Sequence, residues 1–540
     1  MIRKLESAFP LLPVLTLSIV LLASAGDVPD VRGQSPTYWP TNGWRATTPE
    51  EQGIDSDLLA QAIETARQRN LSIHSLLIVR NGYLVTEAYF FPYDGKRPHD
   101  VASVTKCLTT TLTGIAIDQG KIKSAQEPVL PFFSDHKIAN LDQRKERMTL
   151  EHLMTMSSGL DGKAQRGEPT LWEMLGSADD VQYMIDLPMV ADPGSNFVYC
   201  SGGMHLLSAI ISRATGMKTE TFARRTLLAP LGIREIAWPP DPQGVNHGFG
   251  NLHLLPRDMA KIGWLFLNRG KWEEKQIIPA EWVAMATRPQ KSTGNPRDYG
   301  YGWWIPKSDA LVAYEASGRG GQQISVLPTK NTVIVFNGGG FPTSEVMKLV
   351  TPAIKEHRLP ANPQGAARLN AAIAAAAQPT GKSAAINLPA VARLISGRTI
   401  TLDPNWMGLT SLSLTFRSAG EATVQFHFGP SPKQAQFGLS AKIKRKGPFN
   451  ESRPVGLNGT PIISDDGPLG LPVAVKGFWE DDNTFVLEYD EIANINSYRL
   501  RLSFNRDNGN GVSVQASERT GLFDEKFSGK IETKFIISRQ

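Results

Sequence analysis

Apolar, strand-forming runs stand at the two ends of a long helix-rich region, so the sheet of this chain has to be assembled from segments far apart in sequence. The first pair, Leu76 to Val79 and Leu84 to Ala88, is joined by Arg80-Asn81-Gly82, a turn sequence suited to a hairpin. The last pair, Ile324 to Leu327 and Thr332 to Phe336, flanks Pro328-Thr329-Lys330-Asn331. Helical signals fill the region between. Ser103 to about Thr287 is mainly helical: Thr149 is placed to cap Leu150 to Met156, Gly203 to Ala214 ends at Gly216, and Pro256 opens a helix running to Arg269. A further helical pattern, Ser56 to Arg69, precedes the first strand pair. Strands at both ends with helices between them predict an α+β domain.

The chain has 540 residues, too many for one core, and a second folded domain is expected. From about Leu359 to Ala392 it is rich in Ala, Pro, Gln and Gly, which reads as a linker with a short helix rather than a packed element. Beyond it, Thr399 to Leu402, Ser411 to Phe416, Thr423 to Phe428, Thr484 to Tyr489, Tyr498 to Phe504 and Gly511 to Gln515 read as short strands between turns. That pattern predicts a separate all-β domain, a sandwich or small barrel, over residues 393–540. The α+β domain then occupies 45–358, after a leader at 26–44.

Arg3 and Lys4, an apolar stretch from Phe9 to Leu22 and Ala23-Ser24-Ala25 have the layout of a signal peptide over residues 1–25. Pro10 and Pro13 interrupt the stretch and no cysteine follows it. The expectation is therefore export to a periplasmic or secreted location, without stable membrane insertion. Hydrophobic residues at 41% and charged residues at 20% describe an ordinary globular composition. A net charge of +5 spread over this length supports no nucleic-acid partner. The basic run Lys442, Lys444, Arg445 and Lys446 reads as a solvated hairpin edge. Cys107 and Cys200 are the only cysteines. Buried small side chains and a bridge between facing segments both remain open.

Chemistry concentrates at Ser103-Val104-Thr105-Lys106. A serine and a lysine three apart share one helix face, and a serine hydroxyl needs a base within about 3 Å to act as a nucleophile. The helix is drawn by Val104, Cys107, Leu108, Leu112, Ile115 and Ala116 and stops at Gln119-Gly120. Alone, the four residues prove little, and a serine helix cap followed by an exposed lysine is the plainer reading. The sequence holds no Gly-x-Ser-x-Gly elbow and no His-Glu-x-x-His pair, and no metal or cofactor is expected. Asn337-Gly338-Gly339-Gly340 lacks the Lys-Ser/Thr of a phosphate loop and reads as a turn.

Together with Tyr199-Cys200-Ser201 and Arg319-Gly320-Gly321-Gln322, in that order, the Ser103 motif resembles the three motifs of serine β-lactamase-like hydrolases, the group of class C β-lactamases, DD-peptidases and related esterases. The resemblance extends to Leu150 to Leu160, to Arg257-Asp258-Met259-Ala260 and to Gly300-Tyr301-Gly302-Trp303-Trp304, covering about residues 45 to 355. It implies an antiparallel sheet flanked by helices, with a helical subdomain. It also implies Ser103 as the nucleophile forming an acyl-enzyme, and Lys106 and Tyr199 as a shared base. The backbone N–H groups of Ser103 and Gln322 would form the oxyanion hole. Ser201, Arg319, Gly320 and Gly321 would line the substrate site. Trp303, Trp304, Tyr301 and Trp172 could wall an apolar acyl pocket, though core packing explains such aromatics as well.

Three positions depart from the family pattern. Ser201 stands where the family has Asn, Arg319 where Lys or His is usual, and Gly320 where β-lactamases often have Thr. These departures turn the expected substrate away from β-lactams toward a small ester or short amide. A weak β-lactamase or DD-peptidase, or a non-catalytic ligand-binding or sensor protein on the same fold, is the alternative.

Overall fold

Alternation along single strands builds the first domain, because side chains at successive positions leave a sheet on opposite faces. In Ile73–Arg80, Leu77 and Val79 enter one apolar cluster while Ile73, Leu76 and Ile78 enter another. In its neighbour Thr332–Gly338, Val333 and Val335 join the first cluster and Ile334 and Phe336 the second. A sheet covered on both faces reads as continuous apolar runs, which is why these strands were legible. The structure is a computed structural model describing residues 38–163, 168–307, 314–380, 388–429, 449–457, 459–467, 470–505 and 510–532. The expected signal peptide and the basic run Lys442 to Lys446 lie outside the described residues.

The eight strands run in the order Arg45–Ala46, Tyr83–Tyr89, Ile73–Arg80, Thr332–Gly338, Gln322–Leu327, Tyr314–Gly318, Trp304–Pro306 and Arg297–Tyr299. Every pairing is antiparallel except that of Arg45–Ala46, which lies parallel to Tyr83–Leu84. On one face lies Pro256–Leu267, where Gly263 is required: a Cβ there would sit 2.5 Å from Val333 Cγ1. The helical subdomain, with Thr105–Asp118 and Ser201–Thr215 at its centre, continues the same cluster. This is the α+β architecture that the resemblance implied.

The other face carries Ser56–Gln68 and, against it, Pro363–Ala376. The second helix corrects the reading of 359–392 as a linker. Leu369, Ala372 and Ala376 are buried in the sheet-covering cluster, Asn362 accepts from the Gly365 N–H at 2.9 Å, and Arg368 pairs with Glu64 at 2.6 Å. Alanines there are small side chains that let two helices approach closely, a role composition does not distinguish from a flexible tether.

The C-terminal domain is a closed barrel. Its ten strands follow the order Phe449–Gly456, Glu421–Phe428, Leu409–Phe416, Thr399–Leu402, Asp524–Ile531, Gly511–Glu518, Ser497–Phe504, Thr484–Glu491, Val473–Asp481 and Ile462–Ser464. A parallel bridge from Gly456 to Lys476 joins the first strand of that order to the ninth. Leu412, Leu414, Val424, Val475, Phe485, Leu487, Leu502 and Val514 fill the interior. Four of these strands escaped the sequence reading: Pro454 and Gly477 interrupt two, Asp524–Ile531 is mostly polar, and Ile462–Ser464 is very short. Cys107 and Cys200 are both buried free thiols, so of the two open explanations the small buried side chain holds. Among the described residues no helix is long and apolar enough to cross a membrane.

Candidate active site

The backbone ahead of Ser103 is bent. Ala102 has φ 46°, a left-handed conformation that costs a residue with a Cβ about 1–2 kcal/mol. Two side chains hold it there: the Ala102 N–H donates to Asp100 Oδ1 at 2.8 Å, and Thr105 Oγ1 donates to the Ala102 carbonyl at 2.6 Å. Ser103 then lies in a short 3-10 turn, Ala102–Val104, ahead of the helix Thr105–Asp118. It makes no capping bond to that helix, and Lys106 is only 1% exposed. Both facts set aside the serine cap and exposed lysine.

Lys106 Nζ donates to Ser103 Oγ at 2.8 Å and to the Phe249 carbonyl oxygen at 2.9 Å. Phe249 escaped the sequence reading. It belongs to Gly248-Phe249-Gly250, a loop threaded between the nucleophile helix and Ser201–Thr215; a Cβ on Gly248 would lie 2.1 Å from the Met204 carbonyl oxygen. The glycine pair was the available signal. Thr109 Oγ1 donates to the Gly248 carbonyl at 2.7 Å, fixing the same loop.

Tyr199 stands in the extended segment before Ser201–Thr215, with Lys106 Nζ 4.9 Å from its ring centre. Its other partner is Trp304, stacked at 5.9 Å with 17° between the planes; Arg297 covers that indole in turn. Phe197 and Tyr299 complete the aromatic group. Burial, with the negative charge of Glu168 among the further contributions, holds the Tyr299 phenol well above its ordinary pKa. Of the proposed apolar wall, Trp304 and Trp172 reach the site. Trp303 is fully buried against Phe266 and Tyr314, and Tyr301 packs on Trp282 and bonds Glu151, so both are core residues.

The third motif is arranged differently from the expectation. A methyl group on Gly318 would lie 3.0 Å from the Ser103 backbone nitrogen and 2.8 Å from the Val101 carbonyl oxygen, so it is Gly318 that packs against the Ser103 amide. Gln322 is its partner across the strand pair. The Gln322 side chain is wholly buried: it donates to the carbonyls of Gly338 at 2.5 Å and Arg319 at 3.2 Å, and accepts from Asn337 at 2.9 Å. It braces the turn. Gly320 and Gly321 have φ 81° and 96°, and Cβ atoms there would meet Ile495 and Phe341, each at 2.4 Å. They serve a tight turn and a close domain contact rather than substrate approach.

Arg319 turns away from the expected carboxylate-binding role. Its guanidinium donates to Thr520 Oγ1 at 2.6 Å and Asn496 Oδ1 at 2.8 Å, and lies 3.5 Å from buried Glu518, all three on the barrel. The Asp100 N–H donates to the Ala493 carbonyl at 3.0 Å, tying the barrel to the segment that leads to Ser103. Ser201 is also occupied: its N–H and hydroxyl donate to the two carboxylate oxygens of Glu168 at 2.8 and 2.9 Å. Glu168 was not anticipated, because nothing near it in sequence marks it.

These groups surround a cavity of about 250 Å³. Ser103, Ser201, Phe249, Asn251, Glu168, Leu171, Trp172 and Leu175 of the first domain line it, together with Asn494, Ile495, Asn496 and Leu522 of the barrel. Ser103 therefore opens into a space that both domains line. Behind it, among the described residues, the buried groups Asp180, His205 and Asp241 bring potential ligand atoms within 4.8 Å of one another. His205 Nε2 is 2.9 Å from Asp241 Oδ2, and the His205 ring packs on His247 and Phe249. That trio could hold a cation, but it is separate from the Ser103 and Lys106 contact.

The chain is similar to several known proteins. A family model described as Beta-lactamase matches residues 59–357. The chain is 24% identical over 311 residues to a 6-aminohexanoate-dimer hydrolase of Paenarthrobacter ureafaciens, covering 53% of this chain and 78% of that one. It is 29% identical over 165 residues to monacolin J acid methylbutanoyltransferase of Aspergillus terreus, covering 27% of this chain and 39% of that relative's length. Among solved structures, the octameric penicillin-binding protein homologue from Pyrococcus abyssi aligns over 88% of this chain and 99% of its own, at 17% identity and a TM-score of 0.45.

Proposed function

The chain belongs to the Beta-lactamase family, and on that premise we propose that it is an exported serine hydrolase cleaving a small ester or short amide through an acyl-enzyme on Ser103. The observation that carries this reading is the 2.8 Å contact between Lys106 Nζ and Ser103 Oγ, made by a lysine with almost no exposure to water. The serine proton passes to the base that Lys106 and Tyr199 share as Oγ bonds the carbonyl carbon. The oxyanion that forms is met by the Ser103 N–H and by the backbone amide following Gly318. Collapse of this intermediate breaks the bond to the leaving group, which takes the proton back from the base. Water then adds to the acyl carbon, delivers its proton to the same base and releases the acid with Ser103 restored.

Hydrolase and acyltransferase relatives bear the same reading, since both names describe movement of an acyl group and differ in whether water or another nucleophile receives it. Export rests on the leader sequence. The test is covalent labelling by a fluorophosphonate together with turnover of p-nitrophenyl esters and short linear amides. Both disappear in Ser103→Ala if the reading is right. Wild-type turnover in that variant refutes it, and binding without turnover in the wild type favours a ligand-binding protein.

A further inference from the structure

We propose that Arg297 is a positioning residue for the base: bound to Glu315, it straps down the indole of Trp304, on which the Tyr199 ring rests. This builds on the serine hydrolase reading, in which Tyr199 shares the base with Lys106, and adds to it a residue that acts only through another side chain. The starting point is what holds Tyr199. It lies in the irregular segment ahead of the helix Ser201–Thr215, where no regular backbone fixes its direction. Among the described residues its side chain is held by the ring rather than by a hydrogen bond: Lys106 Nζ lies 4.9 Å from the ring centre, Trp304 is stacked at 5.9 Å, and Tyr299 stands edge-on at 6.3 Å. Such contacts leave the hydroxyl free to move a proton, and they hold the ring only as firmly as its neighbours are held. Lys106 and Tyr299 are buried, whereas Trp304 is half-buried and needs a support of its own.

Strand register supplies that support. Trp304 pairs with Tyr299 on one side and with Glu315 on the other, and Arg297 pairs with Pro306, so these side chains share one face of the sheet. Arg297, on the last strand, is the diagonal neighbour of Trp304, a separation that a long side chain spans. Its guanidinium carbon is 4.6 Å from the indole centre, and its Nη1 donates to Glu315 Oε1 at 2.6 Å, on the strand beyond. The arginine therefore crosses the strand that carries Trp304 and ties together the strands on either side of it. Its far anchor is fixed in turn, since Glu315 Oε2 accepts from Gln323 Nε2 at 2.9 Å. A planar guanidinium suits both tasks, lying on an aromatic ring while its edge donates to a carboxylate. Lysine would keep the charge and lose the fork.

The test reads both the chemistry and the place of the ring. The Arg297 side chain is 41% exposed, so Arg297→Met removes the strap without emptying the core. On a p-nitrophenyl ester this variant should lower kcat about tenfold and change KM by less than about twofold, the pattern of a misplaced base rather than of a lost binding contact. Arg297→Lys should recover only part of the loss. Trp304→Leu should cost at least as much, and adding Arg297→Met to it should cost nothing further, because the arginine acts through the indole. Wild-type kcat in Arg297→Met, a loss confined to KM, or a double variant in which the two losses multiply would each overturn the proposal. A spectroscopic readout stands apart from turnover: with fluorotyrosine in place of Tyr199, the fluorine resonance senses the ring current of Trp304. In Arg297→Met that resonance should move toward its position in Trp304→Leu, and an unchanged resonance refutes the strap. If the wild type turns over no ester above the Ser103→Ala blank, the hydrolase reading fails, and the resonance alone decides whether Arg297 places Tyr199.

Discussion

Arg319 Nη1 donates to Thr520 Oγ1 at 2.6 Å, joining the turn that follows Gly318 to the C-terminal barrel 201 residues further along the chain. An arginine that sequence order aligned with a substrate-binding lysine or histidine instead joins two domains beside Ser103.

Removing that link has a defined outcome. Arg319→Met leaves Glu518, buried and 3.5 Å away, without its cation, which destabilises the docked domains. The melting temperature should fall, limited proteolysis should accelerate in the segment joining the two domains, and KM should rise because the roof of the cavity is loosened. Unchanged melting and proteolysis would show that the clasp contributes nothing to docking.

Lys106→Met keeps the length and apolar stem of the lysine but removes the amine that touches Ser103 and the Phe249 carbonyl. Ester turnover should fall by roughly 10²–10⁴ in kcat with a smaller change in KM, the span expected for loss of a general base. Lys106→Arg should not restore it, because a planar guanidinium does not fit a site built for a point amine and carries no accessible neutral form. Steady-state kinetics on a p-nitrophenyl ester decide both.

Gly318→Ala tests the oxyanion geometry. The added methyl would lie 3.0 Å from the Ser103 nitrogen and 2.8 Å from the Val101 carbonyl oxygen, so the strand end must move away from the nucleophile. Loss of one aligned donor predicts a fall of roughly 10²-fold in kcat. Fluorophosphonate labelling should slow in parallel, while a fall in melting temperature with normal kinetics would assign Gly318 a packing role only.

Stability should decline in mild acid for a reason unconnected with catalysis. His99 is enclosed where the barrel meets the first domain, its Nε2 2.8 Å from His74 Nδ1 and its Nδ1 bonded to the Asp100 carbonyl at 2.7 Å, with Tyr93 packed on both rings. Burial lowers His99 to about 4, against the partial opposition of Asp100, and holds His74 well below its ordinary value, with Arg519 and His253 as nearby cationic or titratable neighbours. The unfolded chain takes up these protons below about pH 6.5 while the folded chain does not. The stabilisation is therefore complete above that pH and lost as pH falls toward 4, by on the order of 3 kcal/mol for His99 alone. Denaturant unfolding at a series of pH values should show this slope, and His99→Gln should flatten it.

The same contrast between local and distant information runs through the fold. The strands Ile73–Arg80 and Thr332–Gly338 were legible because both faces of each are covered, so apolar side chains run unbroken from Leu76 to Val79 and from Val333 to Phe336. The barrel strand Asp524–Ile531 was not, since its burial alternates and most of its residues are polar. Pro363–Ala376 was misread because alanine content is the same in a tether and in a closely packed helix. Trp303 and Trp304 are adjacent in sequence, yet one is core and the other stacks on Tyr199, a division made by strand pleat and invisible to composition.

By itself the sequence determined the contact of Ser103 with Lys106, because the two lie one helical turn apart and their 2.8 Å separation follows from the local geometry of a single segment. It also determined the family and the two-domain plan, through motifs and periodicities that neighbouring residues carry. Only the tertiary structure decided what surrounds that centre. Whether Arg319 faces substrate or Thr520, whether Gly318 or Gln322 lies on the Ser103 amide, and whether Glu168 borders the cavity all depend on where distant segments come to rest. Side-chain direction and charge pairing are set by those neighbours, which the linear order of residues does not bring together.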